Sequence, residues 1–175
     1  MTNTIIEVIS ILAGFIAIGI NEYLTHKRDI KHKKEELLLA HLKEMLEWFN
    51  KMQQRIFSVS RTLVDAICIS DQDEKCQAQY NFSCEANAVV EESIIFCDSY
   101  AEINNCLGID LELGELNKSI GKYIKELRNI QKEYFFPDKE GNEIKMINRS
   151  TSEIERLIKK RIGIISTEMS KLLQR

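Results

Sequence analysis

The chain has 175 residues, 44% hydrophobic, 29% charged and 7% aromatic, with seven glycines, one proline and a net charge of −3. That length suits one domain with a core of its own, and so little proline favours helices over a β-sandwich, a barrel or a Gly/Pro-rich linker. A charge so close to zero gives no reason by itself to expect nucleic-acid or membrane binding.

The first element is apolar. Residues 5–20 read IIEVISILAGFIAIGI, with Glu7 as the only charge, and continuing to Leu24 gives about twenty residues. That is roughly 30 Å of helix, the thickness of a bilayer core. No Lys or Arg precedes it, whereas Lys27, Arg28, Lys31, Lys33 and Lys34 follow, with Asp29 among them. The positive-inside rule then sets the N-terminus outside and everything after residue 25 in the cytoplasm. A cleaved signal peptide is the competing reading, with Ala17-Ile18-Gly19 as its cleavage site. It needs a basic n-region, which this chain lacks, so the sequence predicts a retained single-pass anchor in the inner membrane.

The anchor has one distinctive face. Asn3, Glu7, Ser10, Gly14, Ala17 and Asn21 alternate in spacing by 4 and 3, so on a helix they share a stripe of polar or small residues. Such a stripe suits helix–helix packing or a water-filled path, and an intramembrane carboxylate such as Glu7 belongs on that side.

From Asn21 to Ala66 the chain has neither proline nor glycine. Leu38, Leu42, Met45, Phe49, Met52, Ile56, Val59, Leu63 and Ala66 alternate by 4 and 3, as the seam of a coiled coil or bundle does. The same register runs back through Lys31, Arg28 and Leu24 into the stripe. Either a neighbouring copy or the protein's own later helices would cover this seam, and the shared register favours a homo-oligomer.

Further helices follow. Residues 85–105 carry Val89, Val90, Ile94, Cys97, Tyr100, Ala101 and Ile103 at mixed helical spacing, and Gly108 ends that helix. Leu113, Leu116, Ile120, Tyr123, Leu127, Ile130 and Tyr134 form the next face, before Pro137. Ser150-Thr151-Ser152-Glu153 reads as a capping box opening the last helix, whose face is Ile154, Leu157, Ile158, Ile162, Ile165, Met169, Leu172 and Leu173. Residues 134–136 and 144–146 could pair as a small hairpin around the turn at 137–142. The fold class is all-α. A transmembrane anchor (1–25) runs into a long juxtamembrane helix (26–69), and with residues 70–175 that helix forms a cytosolic bundle of about four long helices.

Charge is unevenly distributed. Residues 1–69 carry a net +1, 70–117 a net −10 and 118–175 a net +6. Blocks of this kind attract each other within a fold or between subunits. Lys118, Lys122, Lys125 and Lys132, with Arg128 at the edge, share a face of the third cytosolic helix, and Arg149, Arg156, Lys159, Lys160 and Arg161 cluster early in the last. Together with Tyr123 or Tyr134 they could hold a phosphate-bearing ligand such as a nucleotide or oligonucleotide; a solvated face, or neutralisation by the acidic block, is the plainer explanation.

Other chemistry is sparse. His26, His32 and His41 lie on the juxtamembrane helix, far in sequence from Cys68, Cys76, Cys84, Cys97 and Cys106, which contain no C-x-x-C pair. That spacing argues against zinc, and small apolar packing accounts for the cysteines. No hydrolase, metalloprotease, phosphate-loop or dinucleotide signature is present, so neither an enzyme nor a cofactor is expected.

An N-terminal anchor followed by a small cytosolic helical domain resembles, in layout and without a shared motif, the single-pass membrane effectors of bacterial anti-phage defence systems. That resemblance implies oligomerisation, sensing of a nucleotide-type signal or a regulatory protein, and permeabilisation of the inner membrane through a channel or pore. The alternative is a membrane-tethered adaptor or scaffold, in which the anchor only localises a protein-binding bundle.

Overall fold

The computed structural model describes residues 2–133 and 142–174; for 2–18, 102, 103 and 105–107 it describes the backbone only. Four helices follow one another: α1 (Thr2–Cys68), α2 (Gln72–Leu107), α3 (Leu113–Glu133) and α4 (Asn142–Leu173). Among the described residues there is no strand. The chain divides into two units, Met1–Leu42 and Lys43–Arg175.

The first unit is the leading part of α1. Every residue from 19 to 34 is exposed, including Ile20, Tyr23, Leu24 and Ile30. Local ion pairs from Lys31 and His32 to Glu35, at 3.7 and 3.9 Å, lie along it. Among the described residues no helix is long and apolar enough to cross a membrane. The candidate anchor, residues 5–24, lies outside the described side chains up to residue 18.

The second unit is a helical bundle whose core begins with the α1 seam. Met45, Phe49, Met52, Ile56, Val59, Leu63 and Ala66 are all buried. Of the two coverings the sequence leaves open for the seam, the chain's own helices supply this one. Each large apolar side chain so buried is worth about 1.5–3 kcal/mol. At one end Trp48 stacks on Phe96 of α2, ring centroids 3.7 Å apart and planes 4° from parallel, and Phe49 meets Phe96 edge-on. Tyr100 stands beside Phe96 and donates its hydroxyl to Glu44 at 3.0 Å.

α2 begins thirteen residues before the apolar spacing at 85 suggests. Its start is set by Asp71, whose carboxylate accepts the N–H groups of Asp73 and Glu74 at 3.0 Å, a side-chain cap on the first turn. Its buried stripe is Phe82, Ala86, Val89, Ser93 and Phe96, again spaced 4 and 3. Ile94, one of the apolar residues that mark this helix in the sequence, is 42% exposed, and the place in the stripe belongs to Ser93. That hydroxyl bonds Val90 O at 2.8 Å and Asn117 Oδ1 at 3.0 Å, which is how a polar residue sits there without an orphaned group. Gly108, at φ 65°, ends the helix as expected, and the N–H of Ile109 turns back to Asn104 O at 3.1 Å.

α3 follows its sequence pattern closely, with Leu113, Leu116, Ile120, Tyr123, Leu127 and Ile130 all buried; Tyr134 lies outside the described residues. α4 starts at Asn142, so Ser150-Thr151-Ser152-Glu153 is interior helix rather than a cap. The hydroxyls of Thr151 and Ser152 bond back to Ile147 O and Asn148 O at 2.7 and 2.8 Å, Ser150 donates to Glu126 at 2.9 Å, and Glu153 pairs with Arg149 at 3.4 Å. Back-bonding to the preceding turn lets a Ser/Thr run continue a helix that it would otherwise begin. The hairpin also fails: 144–146 is helical, while 134–136 lies outside the described residues. Toward the end of α4 the apolar stripe loosens, and Leu173 is 71% exposed.

A small polar layer crosses the bundle centre. The Tyr123 hydroxyl donates to Ile56 O at 3.2 Å and lies 3.4 Å from Thr151 Oγ1, and Ser60 Oγ donates to the same carbonyl at 3.0 Å. Burial raises the Tyr123 phenol above its ordinary pKa. Packing as a small apolar group accounts for Cys97 alone among the cysteines with described side chains, because Cys68, Cys76 and Cys84 are exposed.

Candidate functional site

Two groups of residues carry the functional expectation: the stripe on the leading part of α1, and the basic faces of α3 and α4. Of the stripe, Asn3, Glu7, Ser10, Gly14 and Ala17 lie outside the described side chains, and Asn21 is exposed.

The lysine row of α3 is the side of that helix facing away from the core. Lys118, Lys122, Lys125 and Lys132 are exposed, and Arg128 at its edge is hydrogen-bonded to Asn87 of α2. Lys118 pairs with Glu115 at 3.2 Å and Lys122 with Glu126 at 3.8 Å. On α4, Arg149 pairs with Glu153, and Lys159 with Glu155 at 3.5 Å. Lys160 reaches Glu112 in the α2–α3 connection at 3.1 Å. Contacts this exposed are worth about 0–1 kcal/mol each, but they lower the positive potential an anion would meet. Among the described residues, Lys125, Lys132 and Arg156 have no carboxylate partner.

The two helices border a groove. Ser119, Lys122, Tyr123 and Glu126 of α3 and Ser150, Glu153, Ile154 and Leu157 of α4 line a shallow groove of about 210 Å³. Its charge is mixed, one lysine against two glutamates, and the Tyr123 hydroxyl is spent on the polar layer. The groove is therefore a poor phosphate cradle. Tyr134 lies outside the described residues.

Arg161 stands apart from the other basic residues. Its side chain is 2% exposed. Its guanidinium donates to Leu111 O at 2.7 Å, Leu157 O at 2.9 Å and Glu112 O at 3.0 Å, with the Glu112 carboxylate 3.6 Å away. Burial lowers its pKa while Glu112 opposes the shift, and the planar fork satisfies carbonyls that the α2–α3 connection turns inward. Glu112 holds a positive φ of 47°, and its N–H is accepted by Asp110 at 2.9 Å. Arg161 is thus a clamp on that connection, with its donors committed inside the fold.

Other features carried less signal in the sequence. Asn50, Gln53, Gln54 and Phe57 of α1, with Glu155 of α4, line an open groove of about 680 Å³ in which Phe57 is 58% exposed. Their spacing of 3, 4 and 7 was readable as one face, but nothing in a carboxamide pattern names a ligand. Asn104 is buried, its two amide atoms find no hydrogen-bond partner among the described residues, and it lines a cavity of about 160 Å³ beside Asp110 and Glu112. The acidic block is used partly within the bundle: Glu92 pairs with Arg55 at 2.9 Å, and Glu85 accepts from Ser58 and Thr62 at 3.2 Å. Among the described residues no three His, Cys, Asp or Glu side chains are grouped to hold a metal ion.

No protein-family model, no curated protein and no solved structure matches the chain.

Proposed function

We propose that the chain is an oligomeric membrane effector that forms an ion channel or pore gated by its helical bundle, acting in bacterial defence. In this reading residues 5–24 cross the inner membrane once, with the N-terminus outside and the bundle in the cytoplasm. The observation that carries it is the contrast within α1. From Met45 onward its seam is covered by its own chain, whereas residues 19–34 leave Ile20, Tyr23, Leu24 and Ile30 exposed. Ile20, Tyr23 and Leu24, uncovered together where the apolar run of residues 5–20 ends, suit contact with lipid or other copies. The stripe Asn3, Glu7, Ser10, Gly14, Ala17 and Asn21 supplies the water-compatible side of the anchor, which a lipid-facing helix does not need. An anionic ligand, nucleotide or oligonucleotide, or a regulatory protein would bind on α3 at Lys125 and Lys132 or on α4 at Arg156, where positive charge is left unneutralised.

A second reading, a membrane-tethered adaptor, is favoured by the carboxamide groove around Phe57 and, separately, by Ile94 and Ile95, exposed neighbours in the α2 sequence, surfaces suited to a protein partner. One experiment separates the two. The full chain and a version with residues 5–20 replaced by polyleucine are compared for dye release from liposomes and for activity in cells. Release by the native chain alone supports the channel; activity intact with polyleucine means that the anchor only localises.

A further inference from the structure

The exposed stretch of α1 has a heptad pattern of its own, on a different side of the helix from the seam that the bundle buries. With Tyr23, Ile30 and Leu37 at a, the d positions are His26, Lys33 and Ala40. Glu22, Asp29 and Glu36 then all fall at g, and Lys27, Lys34 and His41 at e. The three a residues are 66%, 43% and 64% exposed, uncovered at every heptad. Among the described residues Glu22, Asp29, Lys27 and Lys34 make no ion pair within the chain, although Lys31 and His32 nearby find Glu35. Acid at g and base at e, unused at Glu22, Lys27, Asp29 and Lys34 among the described residues, is the pattern of a helix whose charges await another helix.

We infer that residues 20–41 pair in parallel with the same stretch of a second copy, a positions together and g carboxylates against e lysines. In a parallel pair Glu22 meets the partner's Lys27 and Asp29 the partner's Lys34, twice over by symmetry. An antiparallel pair would set g against g and e against e, acid on acid and lysine on lysine, so the charges choose the direction. Parallel pairing is also what two copies anchored in one bilayer must adopt. The d positions are weak, since Lys33 faces its own counterpart and keeps its charge in water only by extending outward. The pairing therefore draws on the high local concentration that shared anchoring gives, and to that extent it rests on the membrane reading above. In the same heptads Glu7, Gly14 and Asn21 fall at f, opposite the a and d positions. A pair thus leaves the polar stripe free to meet other pairs, and a path lined by the stripe needs at least two.

The test uses the full chain in its native membranes, with Cys68, Cys76 and Cys84 changed to Ser. Ile30→Cys places a thiol where a positions face each other, within the roughly 4–7 Å between Cα atoms that a disulfide spans. Mild oxidation should yield a dimer, and Arg28→Cys, at f, should yield at least about tenfold less. Adding Lys27→Glu with Lys34→Glu should cut the Ile30→Cys dimer about tenfold, as should Glu22→Lys with Asp29→Lys. Mixing the two reversed chains should restore it. Equal cross-linking at positions 28 and 30, or charge reversal without effect, overturns the pairing, as does lipid protection of position 30 without a dimer. The cross-link is read in whichever fraction holds the chain. A dimer that forms while polyleucine at 5–20 keeps activity preserves the pairing and removes the channel. An oligomer that persists without the cross-link removes the pairing alone.

Discussion

Replacing Arg161 by Met removes the guanidinium while keeping most of the side-chain volume. Leu111 O then loses a 2.7 Å partner inside the fold, and leaving such a carbonyl unpaired costs about 1–3 kcal/mol. Glu112 O keeps the N–H of Leu116 at 3.0 Å, so there only the second bond is lost. Leu157 O likewise gives up one extra donor, and each of these two losses is worth on the order of 0.5–1 kcal/mol. Relief of the buried charge offsets part of the total, which leaves about 3 kcal/mol. For a chain of this length that is roughly 9 °C in Tm. The assay is built into the protein: Trp48 is the only tryptophan, and its stack on Phe96 reports the bundle. Urea unfolding of the full chain in mild detergent, followed by that fluorescence, should move to a lower midpoint for Arg161→Met. Arg161→Lys, with a single nitrogen to share among three carbonyls, should recover about half. A midpoint for Arg161→Met within about 0.5 kcal/mol of the native chain, or full rescue by lysine, would refute the clamp.

Three other outcomes are expected. Ile56→Asp, placing an unpaired carboxylate in the core, should cost at least about 4 kcal/mol and leave little cooperative unfolding in the same assay. Tyr123→Phe should cost about 1 kcal/mol, since a neutral hydrogen bond is lost and Ile56 O keeps Ser60 as a donor. The Cys97 thiol is pushed up to about 11 from 9.0, first by burial and then by Asp98, with Arg161 opposing. A folded pKa above the unfolded one gives stability that is whole below pH 9 and lost as pH rises through about 11. The unfolding midpoint should therefore fall between those values, and Cys97→Ala should flatten that fall.

The apolar periodicity of α1 and α3 was legible because it is unbroken: Met45 to Ala66 and Leu113 to Ile130 each bury the residues that their spacing selects. α2 was harder to read. Its stripe passes through Ala86 and Ser93, so the larger apolar residues, at mixed spacing, mark no single face. The start of α4 misled for a related reason: a Ser/Thr run followed by Glu is written the same way whether it caps a helix or bonds back within one. What a linear reading could not supply was partnership. Arg161 looks like its neighbours Lys159 and Lys160 in sequence, yet it is buried because the helix turns it inward to carbonyls some fifty residues earlier in the chain. The same limit applies to the basic faces of α3 and α4, where Lys118, Lys122, Arg149 and Lys159 meet carboxylates three or four residues away but Lys160 reaches Glu112 from a different part of the chain.

The polar contacts of α1 bear on which alignment of the helices wins. The α1 seam is apolar at every step and repeats in bulk at some, Met45 with Met52 and Ile56 with Leu63, so sliding that helix by seven residues would again set apolar groups on apolar groups. Burial alone would separate the slipped and native arrangements only weakly, because cores tolerate exchanges of similar volume. The polar side chains that α1 carries are not so tolerant. A seam carbonyl and Thr151 would still meet the phenol after such a slip, but Ser60 beside Ile56 O would give way to Gln53 or Ile67, the Tyr100 hydroxyl would lose Glu44, and Glu92 would lose Arg55. Contacts that add little to the depth of the native well can thus make that well unique.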